Sequence, residues 1–320
     1  MEKYFEKMFF WEEFLCFYSR NKLNFIGNSS SEKRSDNTEI IRILKAKCEC
    51  NFFFLDYNYN KDSFTYNNEE YDLKAETLIF LQKLDTSTPI MLNITSMNIR
   101  LMGTFLFNIK KIGFDEVYCL YTEPARYCKN TEDNEGEEYI DRFDLYKKFR
   151  GIEPIPGFLR ANDDKLDEKW VAFLGFDGKR VEQINDRYEF TDIVPVITLP
   201  SYRPGWQNYA LQENIDIIKS IERKPEYIVA NSFISAYKYL EKLQKAYPNT
   251  YLRITPLGTK INALGALLFC LNNIRNVEVL YDNPIEEGKI SMESRNTYIF
   301  DISETINENS KKEISRHENY

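Results

Sequence analysis

The chain has a single histidine in 320 residues, His317, and it lies in a polar C-terminal stretch. A lone imidazole in such a tail argues against histidine-based acid–base catalysis and against His-containing zinc sets, which need several ligands at short spacing. Cysteine does not fill the gap. Of Cys16, Cys48, Cys50, Cys119, Cys128 and Cys270, only Cys48 and Cys50 are close in sequence, with no matching second pair. Cys119 in VYCLY and Cys270 in LLFCL read as small core residues, and thiols without a disulfide framework suit a reducing compartment. Glycine is sparse, at 12 residues. Neither GxGxxG nor GxxxxGK[ST] occurs, so the dinucleotide fingerprint and the Walker A loop are both missing. No apolar run reaches the roughly 20 residues of a membrane-spanning helix, INALGALLFCL being about half that length. The N-terminal MEKYFEKMFFWEEF carries acids inside its apolar stretch and does not read as a signal peptide. The expectation is a cytoplasmic protein with no membrane partner. Basic residues number 42 against 50 acidic ones, a net charge of −8. That balance argues against tracking a long nucleic acid, while leaving room for a local pocket for a small anion.

Apolar and aromatic surface is abundant: 23 Phe, 22 Tyr and 43% hydrophobic residues overall. This suffices for one large or two ordinary cores. Strand-like runs alternate with helical patterns, which predicts an α/β protein with mostly parallel sheets. NFFFLDY (51–57), KWVAFL (169–174), DIVPVITLP (192–200), EYIVANS (226–232) and TYLRIT (250–255) read as strands, with FLCFYS (14–19) as a further one. YDLKAETLIFLQKL (71–84) and ISAYKYLEKLQKAY (234–247) read as helices, as does the stretch holding Ile261, Leu264, Leu268 and Leu271.

One passage of sequence occurs in two versions. PIMLNITSMNIRLMGTFLFNIKKIGFDEVYCLYTEP (89–124) aligns without a gap on NTYLRITPLGTKINALGALLFCLNNIRNVEVLYDNP (249–284), at an offset of 160 positions. Leu92 meets Leu252, Thr95 meets Thr255, Arg100 meets Lys260, Tyr121 meets Tyr281 and Pro124 meets Pro284. An internal duplication is therefore expected, with two Rossmann-like halves at 1–150 and 165–303 and a polar tail at 304–320. The charged, turn-rich stretch 129–168 reads as their connection.

Chemistry concentrates where strands hand over to helices. In RITPLGTKINALG, Gly258 permits a sharp turn, Thr259 can cap the helix, and Lys260 adds charge to a helix N-terminus that already attracts anions. A solvated lysine behind a capping threonine is the plainer alternative. FLGFDGKR places Asp177, Lys179 and Arg180 at a strand end, where open α/β sheets bind ligands; a simple turn accounts for them equally well. SYRPGWQNY follows another strand and offers Arg203 with Tyr202, Trp206 and Tyr209, either as a base-stacking surface or as local core. Its first-half counterpart TEPARYCKN offers Arg126 and Tyr127.

A Thr-bearing strand, GTK opening a helix, and a strand ending in Tyr together resemble the CARF domains of CRISPR-associated proteins. They also resemble the SAVED domains, in which two CARF-like units share one chain. The resemblance is carried by 249–284 and more weakly by 89–124. It implies a Rossmann-like sheet that recognises cyclic oligonucleotide messengers in a defence pathway and signals to a separate effector protein. It also implies ligand contacts at Thr255, Gly258, Thr259 and Lys260, with Thr95, Ser96, Asn98 and Arg100 as the first copy's equivalents. The first copy departs from the pattern, having Asn98 and Ile99 where Gly and Thr stand in the second. No cofactor or metal is expected. Two alternatives stand beside sensing. One is metal-independent cleavage of the bound nucleotide; the other is a ligand-free subunit of a larger assembly, whose mark would be an occluded or uncharged groove.

Overall fold

The computed structural model describes residues 6–29, 33–35, 37–127, 148–162, 165–221, 223–285 and 291–308. Two compact units divide the chain, one of Met1–Pro124 with Glu293–Tyr320 and one of Ala125–Met292. Among the described residues no helix is long and apolar enough to cross a membrane.

The first unit begins with β1 (Lys7–Phe10), α1 (Trp11–Phe17), β2 (Lys22–Asn28), α2 (Thr38–Lys47) and β3 (Glu49–Asn58). It continues through β4 (Ser63–Tyr66), β5 (Glu69–Asp72), α3 (Thr77–Leu81), β6 (Ile90–Asn93), α4 (Ile99–Ile112) and β7 (Val117–Tyr127). The second unit holds β8 (Lys148–Phe149), β9 (Glu153–Pro154), β10 (Asp167–Phe173), α5 (Gly178–Tyr188), β11 (Ile193–Thr198), α6 (Trp206–Glu213) and α7 (Ile215–Ser220). It ends with β12 (Glu226–Ile228), α8 (Phe233–Ala246), β13 (Thr250–Pro256), α9 (Lys260–Asn272), β14 (Val277–Tyr281) and β15 (Pro284–Ile285). The chain then returns to the first sheet as β16 (Ser291–Asp301), followed by α10 (Ser303–Ile306).

Both units are α/β, and each is built on a mixed sheet. The eight-stranded order is β1-β16-β7-β6-β2-β3-β4-β5. Its centre is parallel through β7, β6, β2 and β3, while β3-β4-β5 and β1-β16 pair antiparallel. The six-stranded order is β12-β11-β10-β13-β14-β9, parallel except for the last pairing. Strands that carry helices on both faces are apolar at most positions. IVPVIT of β11 and VEVLY of β14 accordingly bury nearly every position. Helix α9 is buried on all sides, and α8 packs on it so closely that a Cβ added to Gly265 would lie 2.1 Å from the Phe233 carbonyl oxygen.

Several expectations need correction. FLCFYS is helical over Trp11–Phe17, because Glu13 accepts the Phe10 N–H at 3.2 Å and Phe14 and Leu15 turn into the core with Leu23, Leu44 and Ile299. Residues 71–84 are not one helix. Asn67 and Asn68 both take positive φ, 49° and 66°, a two-residue hairpin that pairs β4 with β5 and leaves only the short α3. The unit boundary falls at 124/125 rather than near 150, and β16 carries 293–308 back into the first unit. Of the proposed connection, 129–147 lies outside the described residues, as do 309–320 of the tail and Cys128.

One buried carboxyl carries a pH dependence. Glu278 on β14 has its acid strength weakened chiefly by burial, against the opposing pull of Arg253 at 3.2 Å. Its pKa is raised in the folded state, so the folded protein binds this proton more readily than the unfolded one. The resulting stability is complete below the unfolded carboxyl pKa and fades as pH rises through the folded one. Comparing melting-temperature–pH profiles of wild type and Glu278→Gln should show a descending limb above about pH 4.5 that the variant lacks. Parallel profiles would refute the assignment.

Candidate functional site

In the second sheet β10 and β13 lie side by side, with Phe173 in register with Pro256. From β10 the chain crosses through α5 to β11 on one side; from β13 it crosses through α9 to β14 on the other. Their C-terminal ends therefore diverge at a topological switch point, the crevice where open α/β sheets bind ligands. The two loops nearly touch. A Cβ on Gly175 would fall 2.2 Å from the Leu257 carbonyl oxygen, so only glycine allows the approach. Asn214 fixes the loop by donating from Nδ2 to the Gly175 carbonyl at 2.9 Å.

A cleft of about 60 Å³ opens there, lined by Leu174, Gly175, Leu257, Gly258 and Thr259. Thr198, Ser201 and an aromatic wall complete it. Tyr127, Phe176 and Trp206 pack mutually, with centroids 5.2–5.7 Å apart. Arg203 lies over Trp206 at 5.8 Å and donates from Nη1 to the Ala125 carbonyl at 2.8 Å. The volume holds a few waters and is well short of the 300–1,000 Å³ of most ligand pockets, so it admits one ring edge rather than a whole nucleotide. None of its described lining residues is charged.

The start of α9 is anchored from below. Thr259 is its N-cap, accepting the Asn262 N–H at 3.2 Å and donating to the Ala230 carbonyl at 3.0 Å. Asn262 donates from Nδ2 to the Val229 carbonyl at 2.9 Å, tying the same turn to the loop after β12. Lys260 follows as the first helical residue and is partly buried. Gly258 does not use a left-handed conformation: its φ is not positive, and an added Cβ would meet nothing closer than 3.6 Å. The reason first offered for this glycine, a sharp turn, therefore gives way to simple proximity to the cleft.

The other expected contacts are held by protein partners. Thr255 is fully buried and accepts the Trp170 indole N–H at 2.7 Å. Arg180 is buried in a two-point ion pair with Asp282, at 2.7 and 2.6 Å, and lies over the Tyr281 ring. Asp177 is the buried N-cap of α5, and Lys179 is exposed beside it.

In the first unit, hydrogen bonds link the C-terminal ends of β2, β6 and β7. Ser96 accepts the Asn28 N–H at 2.9 Å and donates to the Asn93 carbonyl at 2.8 Å, while Thr95 accepts the Thr122 N–H at 2.9 Å. Asn98 caps α4 by accepting the Leu101 N–H at 2.7 Å. Arg100 grips Asp62 through Nε at 2.9 Å and Nη2 at 2.6 Å, with both side chains nearly buried. The two helices are capped at different places, α4 by Asn98 and α9 by Thr259. Helix α4 begins at Ile99 and α9 at Lys260, so Arg100 is the second helical residue and Lys260 the first. One residue rotates a side chain about 100° around a helix.

Phe176, Asn214 and Asn262 were absent from the sequence-based set. Phe176 sat in plain view inside FLGFDGKR; the two asparagines carried no local signal.

No known protein-family model matches the chain. No curated protein matches it either.

Proposed function

We propose that the second unit is the binding module of a nucleotide sensor, taking a cyclic oligonucleotide or a related nucleotide and passing occupancy to a separate effector protein in a prokaryotic defence pathway. The observation that carries this reading is the cleft at the β10/β13 switch point, where Gly175, Gly258 and Thr259 meet an aromatic wall. A base edge suits the ring-lined, uncharged cleft. A phosphate suits the first turn of α9 outside it, whose leading amides lack intrahelical acceptors and next to which Lys260 stands.

The duplication belongs to the same reading, and two features support it. The four-strand order β3-β2-β6-β7 repeats as β11-β10-β13-β14. Arg34 lies over Tyr121 at 5.7 Å, as Arg180 lies over Tyr281 at 5.7 Å, and these tyrosines are partners at the 160-residue offset. With the strand ends of the first copy bridged by hydrogen bonds, one ligand binds per chain, in the second unit.

A melting-temperature panel of cyclic di-, tri- and tetranucleotides, linear analogues and common nucleotides tests the proposal. At a hundred times its Kd a specific ligand adds about 2.7 kcal/mol to the native state. Lys260→Ala should lower affinity at least about tenfold in calorimetry while melting as the wild type does. Undiminished binding would sink the assignment. A ligand-free subunit is the second reading, favoured by the absence of charge on the cleft's described lining. A flat panel would favour it and turn the search to a protein partner.

A further inference from the structure

The first unit contains a larger cavity, of about 290 Å³, which the nucleotide reading does not use. It lies at the end of the sheet opposite the C-terminal ends of β2 and β6, beside the residues that lead into β2 and β7 and the last residue of β16. Four rings line it. Phe14 is stacked on Tyr18 at 5.1 Å, meets Tyr118 edge-on at 5.0 Å and lies 6.2 Å from Phe9. The phenols are tied down, Tyr18 donating to the Lys22 carbonyl at 2.7 Å and Tyr118 to Glu116 Oε2 at 2.8 Å.

The charged lining is Arg20, Glu116 and Asp301. Arg20 is already ion-paired with Glu116. Asp301 receives the Ser303 N–H at 3.0 Å and its hydroxyl at 2.6 Å on Oδ1, while its Oδ2 lies 3.9 Å from Lys7 Nζ. Lys7 is held closer to Glu304, at 3.2 Å. Two carboxylates thus face one guanidinium, and adding Lys7 and Glu304 leaves the same excess of negative charge. An anion would have to approach both carboxylates to reach a guanidinium that is already occupied. A cation gains from the carboxylates and from the negative faces of the rings together. Among the described residues no group of three or more carboxylate, thiol or imidazole side chains could hold a metal ion, which turns the choice to an organic cation.

We propose that this cavity binds a linear aliphatic amine, with its ammonium against Asp301 and Glu116 and its hydrocarbon chain along Phe9, Phe14 and Tyr18. A primary ammonium is preferred to a quaternary one because it donates up to three hydrogen bonds and the carboxylates accept them. A volume of about 290 Å³ has room for a chain of a few carbons, such as a short diamine.

The test titrates putrescine, butylamine, tetramethylammonium and inorganic phosphate into the full chain by calorimetry. Putrescine and butylamine are expected to bind with Kd at or below about 1 mM. Asp301→Asn should weaken them at least about tenfold, and Phe9→Leu, at the edge of the sheet, about two- to fivefold. Absence of heat with both amines overturns the proposal even if Asp301→Asn fails to fold. So does equal binding of tetramethylammonium, undiminished amine affinity in a folded Asp301→Asn protein, or binding of phosphate in place of the amines. The amine outcomes do not bear on the nucleotide panel, which reads the other unit.

Discussion

Replacing Asp62 with alanine is expected to destabilise the first unit by about 3–5 kcal/mol, the range for removing one partner of a buried ion pair. Arg100 is 6% exposed and its guanidinium meets Asp62 through two nitrogens, so the variant takes a carboxylate away from a buried charge. Tyr57, which donates to Asp62 at 2.7 Å, loses its acceptor as well. The pair Lys61–Glu70, at 3.0 Å but largely exposed and screened by water, serves as the control and should change stability far less. Denaturant unfolding of the two variants separates them. Joint replacement, Asp62→Asn with Arg100→Met, should recover part of the loss, because Asn suits the left-handed backbone here (φ 57°), keeps an acceptor for Tyr57 and leaves no buried charge. A fully stable Asp62→Ala protein would mean that Arg100 is held by something else and is available to a ligand, reopening a site in the first unit.

Gly175→Ala is expected to cost about 1–3 kcal/mol and to abolish whatever binding the switch-point cleft supports. The new methyl would sit 2.2 Å from the Leu257 carbonyl oxygen, which is backbone and cannot rotate aside. The loop after β10 must then move, although Asn214 holds it, or the loop after β13 must move and carry Gly258 and Thr259 with it. For a unit of this size each kcal/mol lowers the melting temperature by about 2–4 °C. Gly258→Ala is the matched comparison. With its nearest neighbour at 3.6 Å and no positive φ, it should cost less than about 1 kcal/mol. Equal effects at the two glycines would show that the loops are not in the contact described.

The alternating elements from β10 to β14 were legible, α6 and α7 excepted, because most apolar runs are bounded by polar turns and are long enough to choose between strand and helix. Thr259 announced its cap for the same local reason. The roles of the buried polar residues could not be read. Arg100, Thr255 and Arg180 find their partners 38, 85 and 102 residues away, so nothing near them in sequence distinguishes a ligand's cation from a structural one. The hairpin at Asn67-Asn68 was legible in principle, since adjacent asparagines tolerate the left-handed conformation, but the apolar run after it suggested a longer helix. FLCFYS failed differently. Its aromatic residues suit either strand or helix, and the deciding contact, Glu13 with the Phe10 amide, lies just upstream.

The return of β16 beside β7 sets an order of events during translation. A ribosome releases the first 124 residues early, yet the strand that completes their sheet emerges only after residues 125–292 have been made. At usual synthesis rates that interval is roughly ten to thirty seconds. Throughout it, the β7 side of the nascent sheet presents unpaired amides and carbonyls to any passing strand, whereas the later unit comes off the ribosome with all its strands in one continuous piece. The amino-terminal portion, though made first, is therefore finished last, and it is the portion whose folding yield should depend most on chaperones.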